Sequence, residues 1–174
     1  AALAAAQRVY LASPDLENTE NLMGACERMA RALALLGEHD RAIQISRQAV
    51  RFQRDRYDRD PTDEHKRWLA AALQSLGAYA MARDDKDLAR AHLGEAHRLY
   101  EELCRDAPSG EASKQLAMSY ITLATAQDTK REQYRCLIHA ESILSLLAKS
   151  GLAADRNSML AFASVVATLT KAPS

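Results

Sequence analysis

The feature that most constrains this chain is an internal repeat of 47 residues. Pro14, Pro61 and Pro108 are 47 residues apart, and an acidic residue lies three positions after each proline. The same step connects a leucine, a second large apolar residue and a small residue of each unit: Leu22, Leu69 and Leu116; Met29, Leu76 and Leu123; Ala30, Gly77 and Ala124. A fixed period of this length is typical of repeat architectures, in which each unit buries its apolar face against the next.

Each unit predicts two helices joined by a short turn. Apolar residues recur at helical spacing after each proline, and the pattern breaks at residues 37–40, 83–86 and 129–132. Pro suits the first helical turn, so we expect first helices to begin at the prolines, with Ser13, Asp60 and Ser109 as N-caps. Thr129 and Glu132 form a capping-box pattern. Second helices are predicted at about residues 41–56, 87–105 and 132–149.

Composition agrees with an all-α fold. Ala, Leu, Arg, Glu and Gln dominate, whereas the β-branched Val and Ile that strands prefer are scarce. Only 6 Gly and 4 Pro occur in 174 residues, which leaves little material for long loops. Aromatic residues make up 5% of the chain, so the core must consist of closely packed Leu and Ala. The small residues of each unit are expected to let neighbouring helices approach closely.

Charge and cysteine content exclude several classes of function. The chain has 23 basic and 23 acidic residues, and it lacks the basic surplus that binds phosphates or anionic lipids. We therefore expect no nucleic-acid partner and no membrane association. The odd number of cysteines without CxxC spacing predicts reduced thiols and a cytoplasmic location.

No motif for catalysis or metal binding is found. The sequence contains no HExxH, GxSxG or GxxxxGK pattern, and no Glu has a His three residues later. His92 and His97 are five residues apart and are expected on different faces of one helix. The chain is therefore predicted to be neither an enzyme nor a cofactor- or metal-binding protein.

The units resemble the tetratricopeptide repeat (TPR). Leu76-Gly77 followed by Ala89, Leu93 and Ala96, and the segment from Gly37 to Ile43 with Ala49, match its signature positions. The resemblance covers about residues 14–151, in units longer than the usual 34 residues, as in bacterial multidomain signalling proteins. It implies a right-handed α-solenoid of antiparallel helix hairpins that binds other proteins. The repeats would span residues 13–59, 60–106 and 107–151, the last divergent, with residues 1–12 a second helix of an incomplete repeat and residues 152–174 a capping helix and tail.

The resemblance also predicts where a ligand would bind. The first helices of such repeats line a concave groove, and their outward stripes would hold a peptide or helix. The predicted groove residues are Glu27, Arg28, Arg31, Gln74, Ala78, Met81, Met118, Ile121, Thr122, Thr125 and Asp128. The partner would be another protein, a peptide or another domain of a longer chain. Two alternatives are that these residues meet a neighbouring helix, and that terminal helices pair two copies into a homo-oligomer.

Overall fold

The computed structural model describes residues 5, 8, 12, 16–150 and 156–171, and residues 16–150 and 156–171 form seven helices and no strand. In chain order these are α1 (Leu16–Leu35), α2 (His39–Arg59), α3 (Asp63–Ala82), α4 (Lys86–Asp106), α5 (Gly110–Ala126), α6 (Lys130–Lys149) and α7 (Arg156–Lys171). The predicted all-α fold is confirmed. The predictions for residues 1–4, 6–7, 9–11, 13–15, 151–155 and 172–174 lie outside the described residues.

The 47-residue step recurs in the helix boundaries. Helices α1 and α3 end 47 residues apart, α2 and α4 begin and end 47 residues apart, and α3 and α5 begin 47 residues apart. The turns that join the two helices of the first and second hairpins also match, because Gly37 and Asp84 both have a positive φ, of 79° and 64°. Gly adopts this conformation without a steric penalty, and Asp is among the few other residues that tolerate it. Helix α6 departs from the step, since it begins at Lys130, three residues early.

The structure corrects one predicted helix cap. Asp60 does not begin α3. Its backbone N–H still donates to the Arg56 carbonyl, so this residue completes α2. Thr62 is the N-cap instead, and its hydroxyl accepts a hydrogen bond of 3.2 Å from the His65 amide. Ser109 caps α5 as predicted. Thus Pro61 and Pro108 each lie just before the cap and not inside the first turn.

Two of the second helices also begin at a side-chain N-cap, whereas α2 begins after Glu38, whose side chain makes no capping hydrogen bond. The Asp85 side chain accepts from the Leu88 amide at the start of α4, at 3.2 Å. Thr129 accepts from the Glu132 amide at 3.2 Å, and its hydroxyl donates to the Glu132 carboxylate at 2.8 Å. Each cap satisfies an amide that the helix itself leaves without a partner. These polar residues therefore help to set where α4 and α6 begin.

Consecutive helices pack against each other from α1 to α6. In addition, the backbone of α1 lies close to that of α3, and α3 lies close to α5. Among the described residues, the backbones of α2 and α4 stay farther apart and are bridged by the Arg54–Glu95 ion pair at 2.7 Å, and those of α4 and α6 also stay apart. Helix α7 packs against α5 and α6 through Phe162, Val165 and Val166. The first helices of the three hairpins therefore form a row whose backbones approach one another more closely than those of the second helices.

Small residues permit the closest helix approach. Ala30, Ala42, Ala89 and Ala124 are at most 1% exposed, as expected for positions at helix crossings. At Gly77 a Cβ atom would lie 2.5 Å from Cγ of Leu93, closer than real atoms pack. The α3–α4 contact therefore favours glycine at this position.

Candidate functional site

The predicted groove residues on α1 and α3 lie mainly at the surface. Glu27, Arg28 and Arg31 are exposed on α1, and Ala78 is exposed on α3. Gln74 is half-buried because its side chain reaches the neighbouring α5. These two helices therefore present a mixed-charge surface with a small apolar strip.

Two contacts bring the predicted stripes side by side. Gln74 Nε2 on α3 donates to Thr122 Oγ1 on α5 over 3.4 Å. Tyr79 on α3 lies close to α1: burial raises the pKa of its phenol, Glu27 raises it further and Arg31 opposes the shift. The phenol therefore stays protonated at neutral pH and can donate a hydrogen bond. The outward faces of α1, α3 and α5 are contiguous.

Two of the predicted residues do not reach this face. The Ile121 side chain is only 2% exposed and packs in a core cluster with Leu144 of α6. Asp128 lies in the turn after α5, where its carboxylate pairs with Arg90 on α4. A helical stripe drawn from 100° spacing places these positions outward, but helix α6 covers Ile121, and Arg90 attracts the Asp128 carboxylate.

The remaining predicted residues are half-buried. Met81 and Met118 pack against core clusters, so each exposes only part of its side chain. The Thr122 and Thr125 hydroxyls donate to carbonyls of their own helix, Thr125 to Thr122 at 2.7 Å. The structure thus leaves methyl groups and thioethers, not free hydroxyls, at this end of the face.

A cavity of about 280 Å³ opens beside the face, between α1, α2 and α3. We name it the Gln53 cavity. The exposed residues of its lining are Glu27 and Ala71, which mark its mouth, whereas Ser46 and Gln53 are 5% and 4% exposed and lie at its floor. Its apolar walls include Met23, Ala49, Trp68 and Ala72. Glu27 is also a predicted groove residue, so cavity and groove face share an edge.

The floor of the Gln53 cavity is unusually polar for a core position. Gln53 Oε1 is buried without a hydrogen-bond partner among the described residues. Burying a polar atom unpaired costs about 1–3 kcal/mol. Because this oxygen is fully buried, a hydrogen-bonding group that entered the cavity would recover part of this cost once the Gln53 amide turned toward it.

The repeat shows why the second hairpin lacks an equivalent of this cavity. Ser46, Gln53 and Ala71 are matched 47 residues later by Leu93, Tyr100 and Met118. Leu93 and Tyr100 are 2% and 5% exposed, so their side chains fill the corresponding space. Sequence reasoning missed this site. The available signal was polar residues in the first unit where the second unit has large apolar ones.

A second polar cluster joins α4, α5 and α6. Ser119 donates its hydroxyl hydrogen to the Leu116 carbonyl at 2.7 Å, so His97 Nδ1 donates to Ser119 Oγ at 2.9 Å. Tyr120 donates to Glu101 at 3.3 Å, and the same Glu101 oxygen is 3.5 Å from His97 Nε2. Burial lowers the pKa of His97, while Glu101 opposes the shift.

This cluster resembles a Ser–His–acid set but does not present a nucleophile. Ser119 is 1% exposed, and its hydroxyl hydrogen is engaged by the Leu116 carbonyl. Burial also raises the pKa of the neighbouring Cys136 thiol, which disfavours the reactive thiolate. The described residues contain no group of three or more His, Cys, Asp or Glu arranged to hold a metal ion. The cluster links α4 to α5, and the Tyr120 ring stacks on the His139 ring of α6 at 5.2 Å between centroids.

Comparison with protein-family models, curated proteins and solved structures finds no match to this chain. The resemblance to the TPR therefore remains a hypothesis based on the residues that match its signature. Across the described part of the chain, no helix is both long enough and apolar enough to cross a membrane.

Proposed function

We propose that this chain is a protein-interaction module. In this proposal the helix hairpins form a right-handed, TPR-like solenoid, and the faces of α1, α3 and α5 line a concave groove that holds a peptide or helix of a partner. The partner is another protein or a further domain of a longer, bacterial-type protein. All three cysteines are free thiols, which suits a cytoplasmic location. The proposal involves no catalysis, metal or cofactor.

The observation that carries the proposal is the asymmetry of helix contacts. The backbones of the first helices approach closely along the row, whereas those of the described second helices stay farther apart, α2 and α4 being bridged by the Arg54–Glu95 ion pair. A stack of hairpins that is closer on one side curves toward that side, which makes the α1–α3–α5 face the inner surface. Inner surfaces of stacked helical repeats are extended binding surfaces.

Charge reversal on the groove face tests the proposal. Arg31→Glu combined with Ala78→Asp changes two exposed groove residues on adjacent helices. A matched control makes the same changes on the outer helices, Arg51→Glu with Ala91→Asp, where both residues are exposed as well. Met118 is left unchanged, since it packs partly in the core.

The readout is affinity capture with quantitative mass spectrometry, with helicity measured by circular dichroism. We expect the groove variant to lose partners that the control retains, at equal helicity. If the groove variant retains the same partners as the wild-type chain, the groove is not the binding surface.

Homo-oligomerisation is the second candidate, and one observation favours it. Ile138 and Leu146 are 61% and 69% exposed on one side of α6, and Met159 and Leu160 on α7 are also about half exposed. Such residues can pair two copies through an apolar contact. Light scattering between about 1 and 200 µM separates the candidates, because a monomer at every concentration excludes self-association.

A further inference from the structure

We propose that the Gln53 cavity anchors one aromatic side chain of the bound partner, a tryptophan or tyrosine whose N–H or O–H pairs with the floor of the cavity. This inference rests on the proposed function, because it assumes that a partner chain lies along the groove face. It identifies the specificity-determining contact of that partner.

Size limits the occupant. Small-molecule sites typically occupy about 300–1,000 Å³, so a cavity of about 280 Å³ lies just below that range. A dry cavity of about 150 Å³ accommodates benzene. The Gln53 cavity therefore suits one ring system somewhat larger than benzene, such as an indole or a phenol.

The polar floor of the Gln53 cavity favours aromatic side chains that carry a hydrogen-bond donor. The walls are apolar, but Gln53 and Ser46 lie at the floor and Tyr79 and Ser75 also line the cavity. An aliphatic side chain or a phenylalanine would leave Gln53 Oε1 without a partner. Tryptophan and tyrosine fill apolar space and also donate a hydrogen bond, and both are enriched among the residues that dominate binding energy.

The position of the mouth links the cavity to the groove. Glu27 and Ala71, the exposed residues of the cavity lining, lie on the outward stripes of α1 and α3. A side chain that enters between them comes from a backbone lying along the groove face. The equivalent space in the next repeat is filled by Leu93 and Tyr100, so these two hairpins differ and the anchor point can set the register of the bound chain.

The test uses three probes of defined chemistry. Indole represents the tryptophan ring, indene has nearly the same shape without the N–H, and N-acetyl-tryptophanamide adds the flanking backbone. Binding is measured by ligand-observed NMR and isothermal titration calorimetry. We expect indole to bind about three- to tenfold more tightly than indene, as one added hydrogen bond implies. Gln53→Leu should abolish that preference.

A filled variant takes its residues from the chain itself. Ser46→Leu and Ala71→Met copy Leu93 and Met118 of the following repeat, and Ala30→Gly is added because Leu93 packs where a Cβ of Gly77, the counterpart of Ala30, would lie. The triple variant should lose probe binding while it remains folded. If the triple variant fails to fold, Ala71→Met alone narrows the mouth from an exposed position. The groove variant Arg31→Glu with Ala78→Asp is the control, since neither residue lines the cavity and indole binding should persist.

The outcomes separate this inference from the proposed function. Loss of both N-acetyl-tryptophanamide binding and partner capture in the filled variant supports the anchor. If indole does not bind, or binds while N-acetyl-tryptophanamide does not, the anchor is wrong even where the groove variant shows that the groove binds partners. If the filled variant captures partners at the wild-type level, the cavity is not the anchor and the groove proposal stands. If the wild-type chain captures no partner, the proposed function fails, and the anchor fails with it.

Discussion

Replacing Gly77 with alanine tests the helix packing directly. A Cβ atom at this position would lie 2.5 Å from Cγ and 2.7 Å from Cδ2 of Leu93, and 3.3 Å from the Ala89 carbonyl oxygen. Leu93 is 2% exposed and cannot move into solvent. Either its side chain must change rotamer within the core or α3 and α4 must separate.

Two opposing terms set the magnitude. Alanine favours a helix over glycine by about 1 kcal/mol, whereas inserting a methyl group into a packed core costs about 1–3 kcal/mol. Gly77→Ala should therefore be between neutral and about 2 kcal/mol destabilising. Gly94 is the matched control, because it lies inside α4 and its Cβ would meet no atom within 4 Å. Gly94→Ala should stabilise the chain by up to about 1 kcal/mol.

The assay is urea denaturation followed by circular dichroism at 222 nm. The two substitutions should differ by about 1–3 kcal/mol in the free energy of unfolding, or roughly 2–12 °C in melting temperature for a chain of this size. A double-mutant cycle sharpens the test: once Leu93→Ala has removed the obstructing side chain, Gly77→Ala should become stabilising. Equal shifts from Gly77→Ala and Gly94→Ala would refute the close approach of α3 and α4.

Two further predictions use the same assay. Thr62→Ala should lower the free energy of unfolding by about 1 kcal/mol because it removes the cap of α3. Asp60→Ala should lower it clearly less. A larger loss from Asp60→Ala than from Thr62→Ala would show that Asp60 is the cap. Burial lowers the pKa of His97 in the folded state despite Glu101, so the folded chain binds the proton less readily than the unfolded chain. Its contribution to stability should be present above about pH 6.5 and be lost as the pH falls, and His97→Gln should weaken that dependence if the histidine causes it.

Much of the helix framework follows from local sequence. The 47-residue step predicted boundaries that the structure repeats, because caps and turns depend on only a few neighbouring residues. Ser109 and Thr129 cap their helices as predicted, since a hydroxyl needs only an amide three residues ahead. The prediction that Asp60 caps α3 was wrong for the same local reason. An acidic residue directly before proline is a typical N-cap, but Asp60 still completes α2, and Thr62, two residues later, is the cap of α3.

The local sequence pattern could not decide which outward-facing positions another helix covers in the folded chain. Ile121 and Asp128 follow the same helical spacing as the exposed groove residues, yet α6 buries one and Arg90 pairs with the other. The Gln53 cavity likewise depends on side chains from three helices that meet only after packing. Sequence periodicity determined where helices begin, end and turn because those interactions span a few residues. Tertiary packing alone decided where space remains between them, because that space depends on the combined volumes of residues far apart in the chain.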